Sequence, residues 1–226
     1  MTSRSKLIVL SGEAGAGKDS VAKLLTENYG WQLYSLAGPL KRFASDMFGF
    51  TDEQLYGPSS ARNAPDPRWA RPCPNCKATG FVSHSLGQLT LCPDCVEGKV
   101  DDNSPRRVLQ LMGEEYLRQM IHVDALTMRA GPDIQALLDI GVKVVVNDAR
   151  NDNDRNNLHN WLKACRVDVR SVRTKESKRG DSWRKHASEL RLAKDDQLEY
   201  VVQNDEEWPF PALTGKVERM LLELFR

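Results

Sequence analysis

Two groups of residues in this chain have the types and spacing to do chemistry. The first is Gly12-Glu-Ala14-Gly15-Ala16-Gly17-Lys18-Asp19-Ser20, with the spacing Gly-x4-Gly-Lys. Glycines at these positions let successive backbone N–H groups turn inward around a chain of phosphates. The positive end of a following helix and the Lys18 ammonium add charge of the right sign. An aspartate stands where a hydroxyl residue is usual in this motif, so Asp19 and Ser20 are the candidate Mg2+ ligands, Ser20 also reaching phosphate. The bland alternative is a glycine turn that only joins a strand to a helix. The apolar run before it and the helical pattern after it favour phosphate binding.

The second group is Cys73-Pro-Asn-Cys76 and Cys92-Pro-Asp-Cys95, with fifteen residues between the pairs. Each Cys-x2-Cys puts two thiolates on one tight turn, and two such turns close a tetrahedral zinc site. A closed site is structural. His84 is a spare donor that four cysteines make unnecessary, and Cys165 stands alone.

These residues need elements to hold them. The run over 6–11 (KLIVLS) is a short apolar strand, and 18–29 repeats apolar residues at helical spacing up to Gly30. A second strand over 31–36 leads to a helix opened by Pro39. Between 58 and 104 the chain turns rich in proline and cysteine and loses helical period, which reads as an insertion. Residues 106–121 restore the period through Val108, Leu111, Met112, Tyr116, Leu117 and Met120. Helices to about 129 and over 133–140 precede the most β-like run, 141–146, expected as the central strand. A helix over 157–164, strands over 167–172 and 200–202, and a last helix over about 213–225 complete the pattern. Strands alternating with helices predict an α/β fold, a doubly wound parallel sheet of about five strands. The expected organisation is a core of residues 1–57 and 105–226 with the zinc ribbon at 58–104.

The 226 residues carry 32 basic and 31 acidic side chains and 40% hydrophobic residues, which suits one domain with an insertion and excludes a chain that coats nucleic acid by bulk charge. No apolar run approaches the ~20 residues of a membrane span. The short basic N-terminus runs into the glycine loop and not into a cleavage site, so a cytoplasmic protein is expected. Residues 166–194 concentrate ten basic against four acidic side chains.

Five blocks together resemble the deoxynucleoside monophosphate kinases of tailed bacteriophages, within the P-loop nucleotide kinase group. They are the Gly-Lys-Asp-Ser form of the loop, Leu36-Ala-Gly-Pro-Leu-Lys41, Arg107-x2-Gln110-x2-Gly113 with Arg118, Asp148-x-Arg150, and His186-x-Ser188-Glu189 followed by Asn204-Asp205. The resemblance implies a P-loop kinase that uses ATP and Mg2+ in the infected bacterial cell. ATP would be held by Gly12, Ala14, Gly15, Ala16, Gly17, Lys18, Asp19 and Ser20, by Arg179 and Arg184 of a basic lid over about 173–191, and by Asn204 on the adenine side. Lys41, Arg107, Gln110, Arg118 and Arg150 would bind the acceptor, with Gln110 reading the base. Lys18, Asp148 and Arg150 are the catalytic candidates, Asp148 orienting Mg2+ waters or accepting the acceptor's proton. For each of these charged residues a solvated helix face, a capping role or turn chemistry is the competing reading.

Three functions are therefore weighed. The first is transfer of the ATP γ-phosphate to a deoxynucleoside 5'-monophosphate. The second is phosphorylation of a 5-hydroxymethylpyrimidine, 5-hydroxymethyluracil or 5-hydroxymethylcytosine, within phage DNA. The third is a nucleotide-switched module that binds nucleic acid. Expected cofactors are ATP, Mg2+ and structural Zn2+. Expected partners are nucleotide substrates, with DNA contact through the ribbon and basic segment and a homodimer as further candidates.

Overall fold

A computed structural model describes residues 6–13, 15–69, 71–77, 79–83, 88–94, 99–100, 103–171, 198–204 and 211–226. Ala14, Cys95, Arg179, Arg184 and the expected lid over 173–191 lie outside the described residues. The chain divides into two units, Met1–Gly38 with Tyr116–Arg226, and Pro39–Glu115.

In chain order the elements begin with β1 (Leu7–Ser11), α1 (Lys18–Tyr29), β2 (Trp31–Tyr34), α2 (Gly38–Phe48), α3 (Asp52–Tyr56) and α4 (Ser59–Asn63). Four short strands follow, β3 (Arg71–Pro72), β4 (Phe81–Ser83), β5 (Leu89–Leu91) and β6 (Lys99–Val100), then α5 (Pro105–Gln110) and a π-helix over Leu111–Ile121. The chain ends with α6 (Ala125–Asp139), β7 (Lys143–Val146), α7 (Asp152–Leu162), β8 (Cys165–Arg170), β9 (Tyr200–Gln203) and α8 (Pro211–Leu224).

The first unit is built on a five-stranded sheet in the order β2-β7-β1-β8-β9, every pairing parallel. The expected fold class is met. One detail is corrected: the central strand is β1, and the 141–146 run is its neighbour β7. β1 is buried on both faces, which is why it reads as a continuous apolar run. Ile8 and Leu10 pack with Val21 and Leu25 of α1 and Val217 and Met220 of α8, while Leu7 and Val9 pack with Ile134 of α6 and Leu158 of α7. Helices thus cover both sides of the sheet. Cys165 is a fully buried member of the first of these clusters, so its place is in the core.

Two helices differ from expectation. α6 runs unbroken over Ala125–Asp139 with Pro132 inside it, where the sequence suggested two segments. The helical run from 106 changes pitch after Gln110 and continues as a π-helix. Its hydrogen bonds reach one residue further back, as in His122 N–H to Leu117 O at 2.8 Å. The wider turn breaks the 3.6-residue period. Tyr116 and Met120, expected to point inward, are 54% and 73% exposed.

The second unit, Pro39–Glu115, is wider than the expected insertion at 58–104. Its core gathers Ala44, Phe50, Leu55 and Val108, with Phe48, Trp69, Leu109 and Met112 against them. α3 begins with a capping box, Thr51 Oγ1 accepting from Gln54 N and Gln54 Oε1 accepting from Thr51 N. Asp66 is buried and accepts hydrogen bonds from Arg68 and Gln54, and the hydrogen-bonded Arg68 guanidinium holds its carboxyl well below the usual range.

Candidate functional site

The glycine loop lies where β1 ends and α1 begins. Gly12, Gly15 and Gly17 have φ of 136°, 82° and 97°, conformations that L side chains rarely adopt. Gly17 is the N-cap of α1 and makes no side-chain cap hydrogen bond, an end that suits the first N–H groups of this 12-residue helix to an anion. Lys18 Nζ donates to Gly12 O and Glu13 O, both at 2.9 Å, which draws the loop around the ammonium. Space is limited behind the loop. A Cβ at Gly12 would stand 2.2 Å from Val169 O, and one at Gly17 would stand 1.9 Å from Asn204 Nδ2.

The sheet places further groups at the same edge. Asn147 follows β7, and its Nδ2 donates to Asp19 Oδ1 at 2.6 Å. Asp19 itself is exposed, Ser20 and Lys18 half-buried. Asp19 therefore offers an anionic oxygen beside the phosphate loop and next to the end of the neighbouring strand. Hard, oxygen-seeking Mg2+ suits such a donor. In the sequence an asparagine after a strand reads as turn chemistry, so the link of Asn147 to Asp19 is visible only in the structure.

Asp148 is occupied by the fold. Its Oδ1 accepts from Leu36 N at 2.9 Å, and its Oδ2 accepts from Ser35 Oγ at 2.6 Å and Ala37 N at 3.1 Å. The carboxylate thus caps the turn between β2 and α2, the Leu36-Ala37-Gly38 part of the second block. Arg150 is half-buried in the loop after β7.

Arg118, expected at the acceptor, is only 8% exposed. Nη2 donates to both oxygens of Asp154, at 2.8 and 3.0 Å, and Nη1 donates to Val123 O at 3.0 Å. A guanidinium with a buried carboxylate and a carbonyl on its fork is serving the fold, tying the π-helix to α7. Burial pushes the Asp154 carboxyl up to about 6 against the pull of Arg118.

Lys41, Arg107 and Gln110 lie in the second unit. Gly113 lets α2 come close, since a Cβ there would be 3.2 Å from Leu40 Cδ1. Lys41 thus sits one residue along from that contact with the π-helix. The Lys41 ammonium lies 4.4 Å from the Tyr56 ring centroid, and Arg107 Nη2 is 3.7 Å from Glu115 Oε1. Gln110 Nε2 is buried and makes no hydrogen bond among the described residues.

In the same unit Cys73, Cys76 and Cys92 are buried with their sulfurs all within 4.8 Å of one another. Cys73 Sγ and Cys92 Sγ are 3.8 Å apart. That is far beyond a disulfide bond of ~2.05 Å. It matches the edge, about 3.8 Å, of a tetrahedron of sulfurs around a metal at ~2.3 Å. Gly80 N–H points at Cys76 Sγ at 3.3 Å, the kind of outer-shell donor that steadies a thiolate. The donor set fits zinc.

Asn204, expected on the adenine side, is 8% exposed and directs its side chain to the loop, Nδ2 donating to Ala16 O at 3.0 Å.

Comparison with known proteins places these features in company. The chain is 40% identical over 63 residues to a protein of Acanthamoeba polyphaga mimivirus named putative deoxynucleotide monophosphate kinase, a match over 28% of this chain and 33% of that one. It is 29% identical over 170 residues to the deoxynucleoside-5'-monophosphate kinase of Escherichia phage T5, covering 60% of this chain and 68% of the relative. The chain thus spans about a third of the first relative's length and two thirds of the second's. Both relatives carry the deoxynucleotide monophosphate kinase name that the resemblance led us to expect. No family model matches the chain. Among solved structures, a dephospho-CoA kinase from Campylobacter jejuni aligns over 97% of each chain at a TM-score of 0.47 and 8% identity, too distant to argue from.

Proposed function

We propose that the chain is a phosphotransferase that moves the γ-phosphoryl group of ATP to a deoxynucleoside 5'-monophosphate, giving ADP and the diphosphate. One observation carries the reading: a phosphate-binding loop at the head of α1, in a chain 29% identical over 170 residues to a phage enzyme named for this activity.

Transfer between two anions needs positioning and cationic clamping more than covalent chemistry. The loop N–H groups from Gly12 to Ser20 hold the triphosphate, and Lys18 turns from the Gly12 and Glu13 carbonyls to the β and γ phosphates as the nucleotide enters. Bound Mg2+ would neutralise charge on those phosphates, and Asp19, Ser20 and, through water, Asp148 are the residues to hold it. Asn147 keeps Asp19 turned toward the loop. Asp148 fixes the turn that leads into α2, and Arg150 takes the acceptor phosphate through its planar fork. Lys41, Arg107 and Gln110 are the further residues for binding the acceptor, Gln110 with an amide donor that makes no hydrogen bond among the described residues. Arg179 and Arg184 of the basic segment are the lid residues that close on ATP. Cys73, Cys76, Cys92 and Cys95 hold a structural zinc. No helix among the described residues is long and apolar enough to cross a membrane, and we place the enzyme in the cytoplasm of an infected bacterium, where the monophosphate pool is.

The test supplies radiolabelled ATP with each of the four free deoxynucleoside monophosphates and, separately, with duplex DNA containing 5-hydroxymethylpyrimidine. Label in a deoxynucleoside diphosphate is expected. Label in the duplex alone would replace this reading with the base-modifying one, and ATP hydrolysis without an acceptor, stimulated by DNA, would replace it with the switch.

A further inference from the structure

Asn204 follows the last residue of β9, and three observations make it part of the phosphate loop's support. Its backbone N–H donates to Arg170 O at 2.7 Å, fixing it to the end of β8. Its side-chain Nδ2 donates to Ala16 O at 3.0 Å, across 188 residues of sequence. The same nitrogen fills the space that a side chain at Gly17 would need, 1.9 Å from an added Cβ.

We infer that Asn204 is a positioning residue for the triphosphate: by holding the Ala16 carbonyl, it aims the Gly17 N–H. The Ala16 carbonyl and the Gly17 N–H belong to one planar trans peptide, so they point in opposite directions. A donor that pins the oxygen on the β9 side turns the hydrogen to the other side, where a phosphate oxygen can accept it. Hydrogen bonding at the oxygen also polarises the amide and strengthens its N–H as a donor. The direction of the Asn204 amide is set by the same contact, because turning Oδ1 to Ala16 O would oppose two acceptors. Oδ1 accepts no hydrogen bond among the described residues although it is buried. Among the described residues the side chain thus leaves its acceptor unpaired while its donor is used, which a purely space-filling residue would not require. Val169 O blocks any side chain at Gly12, so the loop is braced at both ends by the strands on one side of it. Asn204 then touches the nucleotide through a peptide and not through the base.

The inference rests on the proposed use of ATP, and the test separates the two. Asn204→Asp keeps the shape and replaces the donor with an acceptor. Equilibrium affinities of the full chain for ATP and for inorganic tripolyphosphate, which has no base, are measured by calorimetry, with thermal melting to confirm the fold. The expectation is a roughly tenfold loss for both ligands, a matching rise in KM for ATP and no change in KM for the monophosphate. Weaker ATP with unchanged tripolyphosphate would mean a base contact and overturn the inference, as would no change for either. Should Asn204→Asp fail to fold, Asn204→Ala and Asn204→Ser carry the same comparison. A wild-type chain that binds neither ligand overturns the kinase reading itself, an outcome distinct from a variant that behaves as wild type.

Discussion

Single residues carry opposite duties here that their types do not reveal. Arg118 and Arg150 are both arginines in blocks that resemble a kinase family, yet Arg118 is locked to Asp154 inside the first unit. Removing one partner of a buried ion pair strands the other without compensation, at a cost of about 3–5 kcal/mol. Arg118→Ala should lower stability by that amount in chemical denaturation, while KM for the monophosphate in the surviving folded fraction stays as in wild type. Arg150→Ala should do the reverse, raising KM with little change in the melt. The pair also sets a pH dependence. Burial lifts the Asp154 carboxyl in the folded chain to about 6, above the value near 3.9 of an unfolded aspartate. Between about pH 4 and 6 the folded state therefore binds a proton that the unfolded state does not. The stabilisation this gives is complete below pH 4 and is lost as pH rises through 6. Asp154→Asn should flatten that slope in thermal melts taken across the window.

At the level of elements, legibility followed periodicity. β1 was readable as a continuous apolar run buried on both faces, and α1 and α8 because their apolar residues recur at helical spacing and face one packed layer. The glycine loop was readable for a related reason, since its backbone needs positive φ at fixed positions and only glycine gives this freely. The π-helix was not readable, because Val108 to Met120 fit an α period and nothing local announces the change of pitch. Neither was the partner of Arg118, which lies on α7, 36 residues away. Close helix approach is a further case, visible only as a glycine in the Arg107-x2-Gln110-x2-Gly113 block. Gly113 meets the tip of Leu40, a flexible side chain that can yield a few tenths of an ångström. Gly113→Ala should therefore be nearly neutral, whereas Gly113→Val adds two methyl groups and should cost about 1–3 kcal/mol by overpacking. Because Lys41 follows Leu40 on α2, the valine variant should also raise KM for the monophosphate and leave KM for ATP unchanged. Equal changes in both would show that α2 does not serve the acceptor.

Across the whole molecule, stability has two different sources. The first unit buries a parallel sheet between helices, a large apolar core that needs no metal. Among its described residues, the segment that carries the cysteines shows no such core. Its buried cluster consists of Cys73, Cys76 and Cys92 with Val82 against them, while Phe81, Leu89 and Leu91 of its hairpin are 48%, 68% and 77% exposed. So little apolar burial cannot offset the entropy of ordering these residues. Thiolates gathered within 4.8 Å would also repel one another without a cation. A bound zinc would resolve both problems, since its binding free energy would become folding free energy for the segment. The purified protein should hold one zinc per chain, measured by elemental analysis. A chelator should then expose residues 71–100 to protease while the first unit keeps its tripolyphosphate affinity. Cys73→Ser should reproduce the protease sensitivity without a chelator, because three sulfurs cannot close the site. Full protease resistance in a chain shown to contain no metal would mean that the ribbon holds itself together by contacts the cysteine cluster does not supply.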